Sequence, residues 1–299
     1  MEKKRKLGRS LEEVADFWLT SSPISHESDS AGESLPRNAP GPGHGFTNKT
    51  ISILYPESLK VKGLLLANFA LELAKQGYGS CILDYEPHDS PVRLIMDSLF
   101  QSFSKGDDSE EPSPFHRVLK LYGLPGIHLF SRSEESLSHT PVPNITDDLF
   151  TQLAGSNLLE SIILPHHPDN LEMISMMESL PPIILLVSRP RRESLLVSYA
   201  YIKTIAAKNP QAQVWMIMDE VKDRDVAVKA FTCLNQAAMR NLATTCLPLK
   251  FLGSIIHDQA LGISLATHYP LVLSEQHSVA RDSIIRITSN FIKTIENPD

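Results

Sequence analysis

The chain has 299 residues, of which 42% are hydrophobic and 21% are charged, so it is long enough for one large α/β domain and a tail. A formal net charge of -7 and an isoelectric point near 5.9 exclude a global electrostatic attraction to nucleic acid or anionic lipid, which requires many Lys and Arg side chains. The cysteines lack metal-ligand spacing, and no signal-peptide core or membrane-length apolar run is present. These features predict a cytoplasmic protein.

Residues 1–20 are predicted to be a tail that carries one short amphipathic helix. Ser10 caps this helix, and Glu13 completes a capping box three residues later. An isolated helix of about ten residues is marginal in water, so its apolar face needs a surface to pack on. That surface is either the chain's own domain or a partner protein, and the sequence favours neither. The candidate contact residues are Leu11, Val14, Phe17 and Trp18.

Residues 21–48 are predicted to be a flexible linker. The segment is rich in Ser, Pro and Gly and has too few large apolar residues to offset the entropy that ordering would cost. The tail helix is therefore tethered to a domain that spans residues 49–299.

Within that domain, predicted strands and helices alternate. The strands are 50–55, 79–84, 126–131, 160–164, 182–188, 213–219 and 249–256. The helices are 64–76, 91–103, 146–155, 170–180, 191–208, 224–241, 258–266 and 278–295. Several strands, such as "PPIILLV" and "VWMIM", are solid apolar blocks, which is typical of strands covered on both faces. The pattern predicts an α/β fold with a doubly wound, mostly parallel sheet and helices on both faces.

The stretch "ISILYPESLKVKGLLLANFALELAKQG" (51–77) gives the strand, loop and helix that surround a phosphate-binding loop, but it has no glycine before Gly63. It resembles the opening of the MinD/ParA family of deviant Walker-A P-loop ATPases, whose loop reads roughly KGGVGKT and whose helix reads NVAANLAIALAKQG. FlhG-type regulators of flagellar placement and number are the members it resembles most. Later segments such as "CILDYEPHDSP" and "FLGSIIHDQALG" extend the resemblance over residues 50–295. It implies a P-loop NTPase fold of the SIMIBI type.

The resemblance also implies that the nucleotide site is degraded. Glu57 stands where the family's signature lysine reaches the partner's nucleotide, and Pro56 has no N–H to donate to a phosphate. Gly63 replaces the Thr that holds Mg²⁺, and Pro165 replaces the Walker B Asp. Asp219 stands where an Asn recognises adenine. Hydrolysis depends on preorganised charge stabilisation, so these losses together argue against an active ATPase.

Three polar residues of the implied site are retained. Lys62 matches the P-loop lysine, and Asp84 and Glu86 keep the carboxylates of the second motif. With Gly63 and Asp219 they form the remnant of the nucleotide-binding site. The plainer alternatives are a surface lysine at a helix start, and acids that cap a strand or pair with Lys62. We assign no catalytic residue and expect no cofactor, while ATP and Mg²⁺ belong to the alternative function.

Two further patterns favour structural interpretations. Adjacent histidines (His166, His167) near Asp169 lack the spacing of a zinc site, so no metal is expected. In the last predicted helix, Ile284, Ile287, Phe291 and Ile295 form one stripe with few basic neighbours, which is typical of a core helix rather than a membrane anchor.

The sequence therefore predicts a FlhG-like pseudo-ATPase that acts as a scaffold, regulatory or localisation protein for a bacterial polar machine such as a flagellum or pilus. The expected partners are proteins: a MinD/ParA-type homologue, a GTPase or a component of the polar machinery, in a homo- or heterodimer. Membrane association is expected to be peripheral at most, at the inner membrane or the cell pole, and no nucleic acid is expected to bind. The alternative is a nucleotide-binding ATPase switch with residual ATP binding or hydrolysis.

Overall fold

The computed structural model describes residues 49–55, 62–84, 91–103, 116–119, 124, 126–131, 161–166, 183–242, 247, 249–274 and 277–297. The predicted tail helix, the linker and the helices at 146–155 and 170–180 lie outside the described residues. The tail residues Leu11, Val14, Phe17 and Trp18 therefore remain predictions, as do Pro56, Glu57 and Glu86 in the loops that follow the first two strands.

A mostly parallel sheet forms the centre of the domain. Among the described residues its strands are β1 Lys49–Leu54, β2 Ser80–Asp84, β3 His116–Leu119, β4 Ile127–Ser131, β5 Ser161–His166, β6 Ile183–Ser188, β7 Gln213–Val221 and β8 Leu249–Ile256. Their order across this eight-stranded sheet is β3-β4-β2-β5-β1-β6-β7-β8. Neighbouring strands are parallel except β3 and β4, which are antiparallel. The first strand therefore lies in the interior of the sheet, between β5 and β6.

In the described part of the chain, four helices connect successive strands and two follow the last strand. They are α1 Lys62–Lys75, α2 Pro91–Phe103, α3 Arg192–Lys208, α4 Arg224–Asn241, α5 Gln259–Thr267 and α6 Val279–Glu296. A short 3-10 turn at Leu271–Leu273 lies between α5 and α6. No helix within the described ranges has both the length and the apolar character needed to cross a membrane.

Apolar side chains cover both faces of the sheet, as the solid apolar strands predict. In β6, Ile183, Leu185 and Val187 belong to one buried cluster, while Ile184 and Leu186 belong to the other. This alternation follows from the two-residue period of a strand. The first cluster includes side chains of α1, α2 and α6, and the second includes side chains of α3 and α4. The doubly wound α/β fold is confirmed.

The last helix belongs to the core. Ile284, Ile287, Phe291 and Ile295 are all buried. The ring of Phe291 makes edge-to-face contacts with Phe69 of α1, at a centroid distance of 5.1 Å, and with Trp215 of β7, at 5.2 Å. The prediction of a core helix is confirmed.

Candidate functional site

The topology points to the carboxyl edge of the sheet near β1. In a doubly wound sheet, ligands bind outside the carboxyl ends of the strands, where the chain reverses its direction across the sheet. Here the chain runs from β1 towards β2 on one side and later places β6, β7 and β8 on the other side. The crevice at this reversal lies beside the ends of β1, β5 and β6.

Four of the five residues of the predicted remnant are among those described, and they lie at or near this edge. Lys62 and Gly63 begin α1, and Gly63 is buried. Asp84 ends β2 and is fully buried. Asp219 lies near the end of β7, which is four strand positions from β2. Because neighbouring strands are about 4.8 Å apart, the two strands that carry these carboxylates are separated by roughly 19 Å across the sheet.

Pro165 lies in β5, opposite Ile53 of β1. The pairing of β5 with β2 ends at Ile163, two residues before this proline. A proline has no N–H for a ladder hydrogen bond, so its position beyond the β2 pairing agrees with its chemistry. The Pro165 side chain itself offers no carboxylate to a magnesium ion.

Tyr55, directly after β1, is a site residue that the sequence interpretation missed. Its side chain is almost completely buried. Burial raises the pKa of Tyr55 well above its ordinary value, and the negative charge of Asp219 adds to this effect. The phenol therefore stays neutral. The sequence signal that could have identified Tyr55 is its position as a bulky residue immediately after the first apolar strand.

The end of β7 is irregular at Asp219 and Glu220. The pairing register with β8 shifts between Met218 and Val221, which is a β-bulge. Glu220 has a φ of 53°, in the left-handed region that is unfavourable for a residue with a Cβ atom. Its two carboxylate oxygens accept hydrogen bonds from Arg189 Nη2 at 2.7 Å and from Arg191 Nη2 at 2.8 Å. Both arginines follow β6, so the bulge connects the ends of two strands.

The neighbouring acid connects β7 to β8. Asp219 Oδ1 lies 2.8 Å from Nε2 of His257, which follows β8. The Asp219 side chain is 1% exposed and the His257 side chain is 36% exposed. The second oxygen of Asp219 is buried and makes no hydrogen bond to any residue that the structure describes. The predicted adenine-recognition position is therefore held by a histidine of the same chain.

The environment of His257 favours its charged form. The hydrogen bond to Asp219 is the largest influence and raises the pKa of His257, while partial burial lowers it. The negative charges of Asp219 and Glu220 raise the pKa further, and the positive charge of Arg189 lowers it. The net effect is a raised pKa.

Asp258 holds the segment that follows His257. One carboxylate oxygen accepts a hydrogen bond from the N–H of Leu261 at 2.9 Å, and the other accepts one from the N–H of Ala280 at 3.2 Å. A single side chain thus caps α5 and contacts the first turn of α6. Burial acts to raise the pKa of Asp258, but hydrogen bonds from Leu261, Ser278, Ala280 and Val279 outweigh it and lower the pKa.

The described charged side chains of this edge form contacts within the chain. A carboxylate only accepts hydrogen bonds, whereas the amide of an asparagine both donates and accepts, so Asp219 cannot donate to a ring nitrogen of adenine. Within the described residues, no group of three or more His, Cys, Asp or Glu side chains could hold a metal ion.

Comparison with known proteins supports the fold. No protein-family model and no curated protein matches the chain. The MinC:MinD cell division protein complex of Aquifex aeolicus matches with a TM-score of 0.55 and 16% identity, over 82% of this chain and 96% of that chain. A putative plasmid partition protein from Borrelia burgdorferi B31, bound to AMPPNP, matches with a TM-score of 0.59 and 13% identity, over 83% of this chain and 100% of that chain. The pNOB8 ParA protein bound to nonspecific DNA matches with a TM-score of 0.56 and 13% identity, over 84% of this chain and 100% of that chain. At these identities the likeness establishes the fold of MinD and ParA proteins.

Proposed function

We propose that this chain is a MinD/ParA-like pseudo-ATPase, similar to FlhG-type proteins, which works through protein–protein contacts as a scaffold, regulatory or localisation protein. The observation that carries the proposal is the junction between β1 and α1. Where proteins of this fold have a glycine-rich loop, this chain has "YPESLKVK" between Leu54 and Gly63. The Cβ atoms of those side chains disfavour the positive φ angles that a backbone needs to wrap a phosphate. Pro56 also lacks the backbone N–H that would donate a hydrogen bond to a phosphate.

The state of Asp219 supports the same proposal. The carboxylate is buried and hydrogen-bonded to His257, so a base would have to displace an internal contact. The fully buried Tyr55 adds bulk at the exit of β1. A chain that has this architecture but neither binds nor hydrolyses ATP would stay in one conformational state permanently.

Partner binding is proposed from the fold and from the tail. A structural neighbour is a complex of MinD with MinC, which supports a protein partner for this fold. The predicted tail helix presents Phe17 and Trp18 on a tether. We place the protein in the bacterial cytoplasm at a polar machine such as a flagellum or pilus, with a MinD/ParA-type homologue, a GTPase or a machinery component as partner in a homo- or heterodimer. Any membrane contact would be peripheral.

Isothermal titration of the full chain with Mg-ATP tests the loss of nucleotide chemistry. The expected result is no measurable heat, which corresponds to a Kd weaker than about 1 mM, and no release of phosphate. A hydrolysing MinD protein measured under the same conditions provides the positive control. Micromolar binding with turnover would contradict the pseudo-ATPase proposal.

Affinity capture tests the proposed contact surface. Full-length bait with Trp18→Ala is expected to lose its partner, because the tail helix would lose its largest apolar side chain. Bait with Trp18→Phe keeps an aromatic ring and is expected to retain most of the capture. Equal capture by the parent chain and the Trp18→Ala chain would remove the tail helix from the proposal.

The alternative function is a nucleotide-gated switch with residual ATP binding or hydrolysis. It is favoured by Lys62 at the start of α1 and by the buried Asp84 at the end of β2. A structural neighbour bound to AMPPNP supports it as well. The same titration separates the two functions, and binding that disappears in Lys62→Ala would establish the switch.

A further inference from the structure

The ends of β6, β7 and β8 are fastened by one cluster of charged side chains, which we call the clasp. Its five members are Arg189, Arg191, Asp219, Glu220 and His257. We propose that the clasp is a proton-sensitive device: it fastens the three strand ends while His257 is protonated, and it loosens when His257 loses that proton. The inference goes beyond the proposed function and does not rest on it.

The side chains of the clasp hold the backbone of the bulge between the Met218–Ser254 and Val221–Ile256 pairs. Glu220 adopts a left-handed conformation at a bulge where the pairing of β7 and β8 is interrupted. Such a conformation persists in a non-glycine residue when the surrounding contacts enforce it. Here the enforcing contacts are the two guanidinium groups on Glu220 and the bond from His257 to the adjacent Asp219. Release of one contact therefore weakens the whole bulge.

The bond between Asp219 and His257 is the one clasp contact that titrates near neutral pH. Both arginines remain charged throughout the physiological range. Asp219 is buried, so its negative charge needs an opposite charge nearby, and breaking such a buried pair is unfavourable. Neutral His257 still donates one hydrogen bond but no longer supplies that charge. The partly exposed imidazole gives solvent protons direct access.

The other charged groups around His257 act in known directions. Glu220 of β7 favours the protonated ring, and Arg189 after β6 opposes it. Asp258, the next residue in the chain, is committed to the N–H groups of Leu261 and Ala280. Tyr55 lies near Asp219 and is neutral, because burial keeps its phenol protonated.

The direction of the pH response follows from linkage. The pKa of His257 is raised in the folded chain above its ordinary 6.5. The stabilisation from the clasp is therefore complete below pH 6.5 and is lost as the pH rises through the folded-state pKa. The strand ends open on the neutral to alkaline side, where His257 becomes neutral.

Hydrogen exchange of the full chain tests the clasp directly. After correction for intrinsic exchange, we expect amide protection at residues 219–222 and 256–258 to fall roughly threefold between about pH 6 and about pH 8. A change of this size is typical of the loss of a partly exposed ion pair. In His257→Gln, protection should already be low at the lower pH. In His257→Arg, which keeps its charge, protection should not change with pH. Protection that is independent of pH in the parent chain would overturn the proposal.

A titration of the unmodified protein provides a second test that needs no variant. The imidazole resonances of His257 should titrate above pH 6.5, and the amide shifts of Glu220 and Val221 should follow the same curve. Titration at or below that value, or amide shifts that do not follow it, would overturn the proposal even if the variants fail to fold.

Discussion

Asn68 joins two distant segments of the chain through one buried amide. Its Oδ1 accepts a hydrogen bond from the N–H of Val272 at 2.8 Å, and its Nδ2 donates to the carbonyl oxygen of Leu64 at 2.6 Å. We expect Asn68→Leu to lower the free energy of unfolding by about 2 kcal/mol, because the buried N–H of Val272 loses its acceptor. Urea denaturation measures this loss.

Asn241→Leu is a matched control for that substitution. In the part of the chain that the structure describes, Asn241 donates only to the carbonyl oxygen of Ala237 within its own helix, at 2.8 Å, and it is partly buried. Its loss should change the free energy of unfolding by less than about 0.5 kcal/mol. Equal effects of the two substitutions would show that the bridge from Asn68 to Val272 does not stabilise the fold.

Two glycines offer a test of close packing. A Cβ atom at Gly253 of β8 would lie 2.7 Å from Cγ1 of the buried Ile287 of α6, whereas a Cβ atom at Gly262 of α5 would meet nothing within 4 Å. We expect Gly253→Ala to destabilise the protein by about 1–3 kcal/mol through overpacking. Gly262→Ala should stabilise it by about 0.5–1 kcal/mol because alanine favours a helix. Thermal unfolding of the two variants distinguishes opposite signs, and a stabilising Gly253→Ala would be inconsistent with the packing of α6 on β8.

The residues of the candidate site were only partly predictable from the sequence. The resemblance pointed to Asp84 and Asp219, and the structure places both, buried, near the carboxyl ends of their strands. The partner of Asp219 was not predictable, because His257 reaches it only through the pairing of β7 with β8. The positive φ of Glu220 depends on a bulge, and no glycine marks that position in the sequence.

Asp258 stabilises the N-terminal ends of two helices, α5 and α6. Alanine at this position should lower the free energy of unfolding by about 2 kcal/mol, since it leaves the N–H groups of Leu261 and Ala280 without their acceptor. The control is Asp223→Ala at the start of α4, where, among the described residues, the carboxylate accepts only from the N–H of Val226. That change should cost about 1 kcal/mol. A smaller effect at Asp258 than at Asp223 would contradict its double role.

The contribution of Asp258 to the free energy of unfolding also depends on pH. Its pKa is lowered in the folded chain from the ordinary 3.8, so the stabilisation is present above 3.8 and is lost as the pH falls through the lower, folded-state value. The difference in unfolding free energy between the parent chain and Asp258→Ala should therefore shrink in acid. Urea denaturation at about pH 5 and about pH 3 measures this change. A difference that grows in acid would reverse the assigned direction of the pKa shift.

At the level of elements, the long periodic segments were predicted well. The strand at 249–256 and the helix at 224–241 have the same bounds in the structure, since apolar periodicity and clear caps define them. β3 was missed because "HRVL" is short and carries two polar residues, and its pairing with β4 supplies the strand geometry. The antiparallel edge of the sheet was missed for the same reason.

The whole molecule is held together where α6 contacts both α1 and the sheet. Phe291 lies between Phe69 and Trp215 and is fully buried. Phe291→Ala should cost about 3–5 kcal/mol, because it leaves a cavity at the junction of three elements. Urea denaturation followed by fluorescence in a Trp18→Phe background measures this loss, because all tryptophan emission then comes from Trp215.

A partly exposed aromatic pair provides the comparison for that variant. Phe231 and Phe251 have a centroid distance of 5.3 Å, and both side chains are only partly buried. Phe251→Ala should therefore cost about half as much as Phe291→Ala, in proportion to the smaller apolar area that it uncovers. Comparable losses would mean that α6 is not the main connection between the layers.

The interior position of β1 has a consequence for synthesis on the ribosome. This strand is complete at Leu54, yet its two neighbours begin only at Ser161 and Ile183. At translation rates of roughly 5–20 residues per second, the nascent strand waits about 5–20 s for its first neighbour to emerge. During that interval Ile51, Ile53 and Leu54 have no sheet to join. We therefore expect the growing polypeptide to expose this apolar segment until Ser161 and the residues that follow it have emerged.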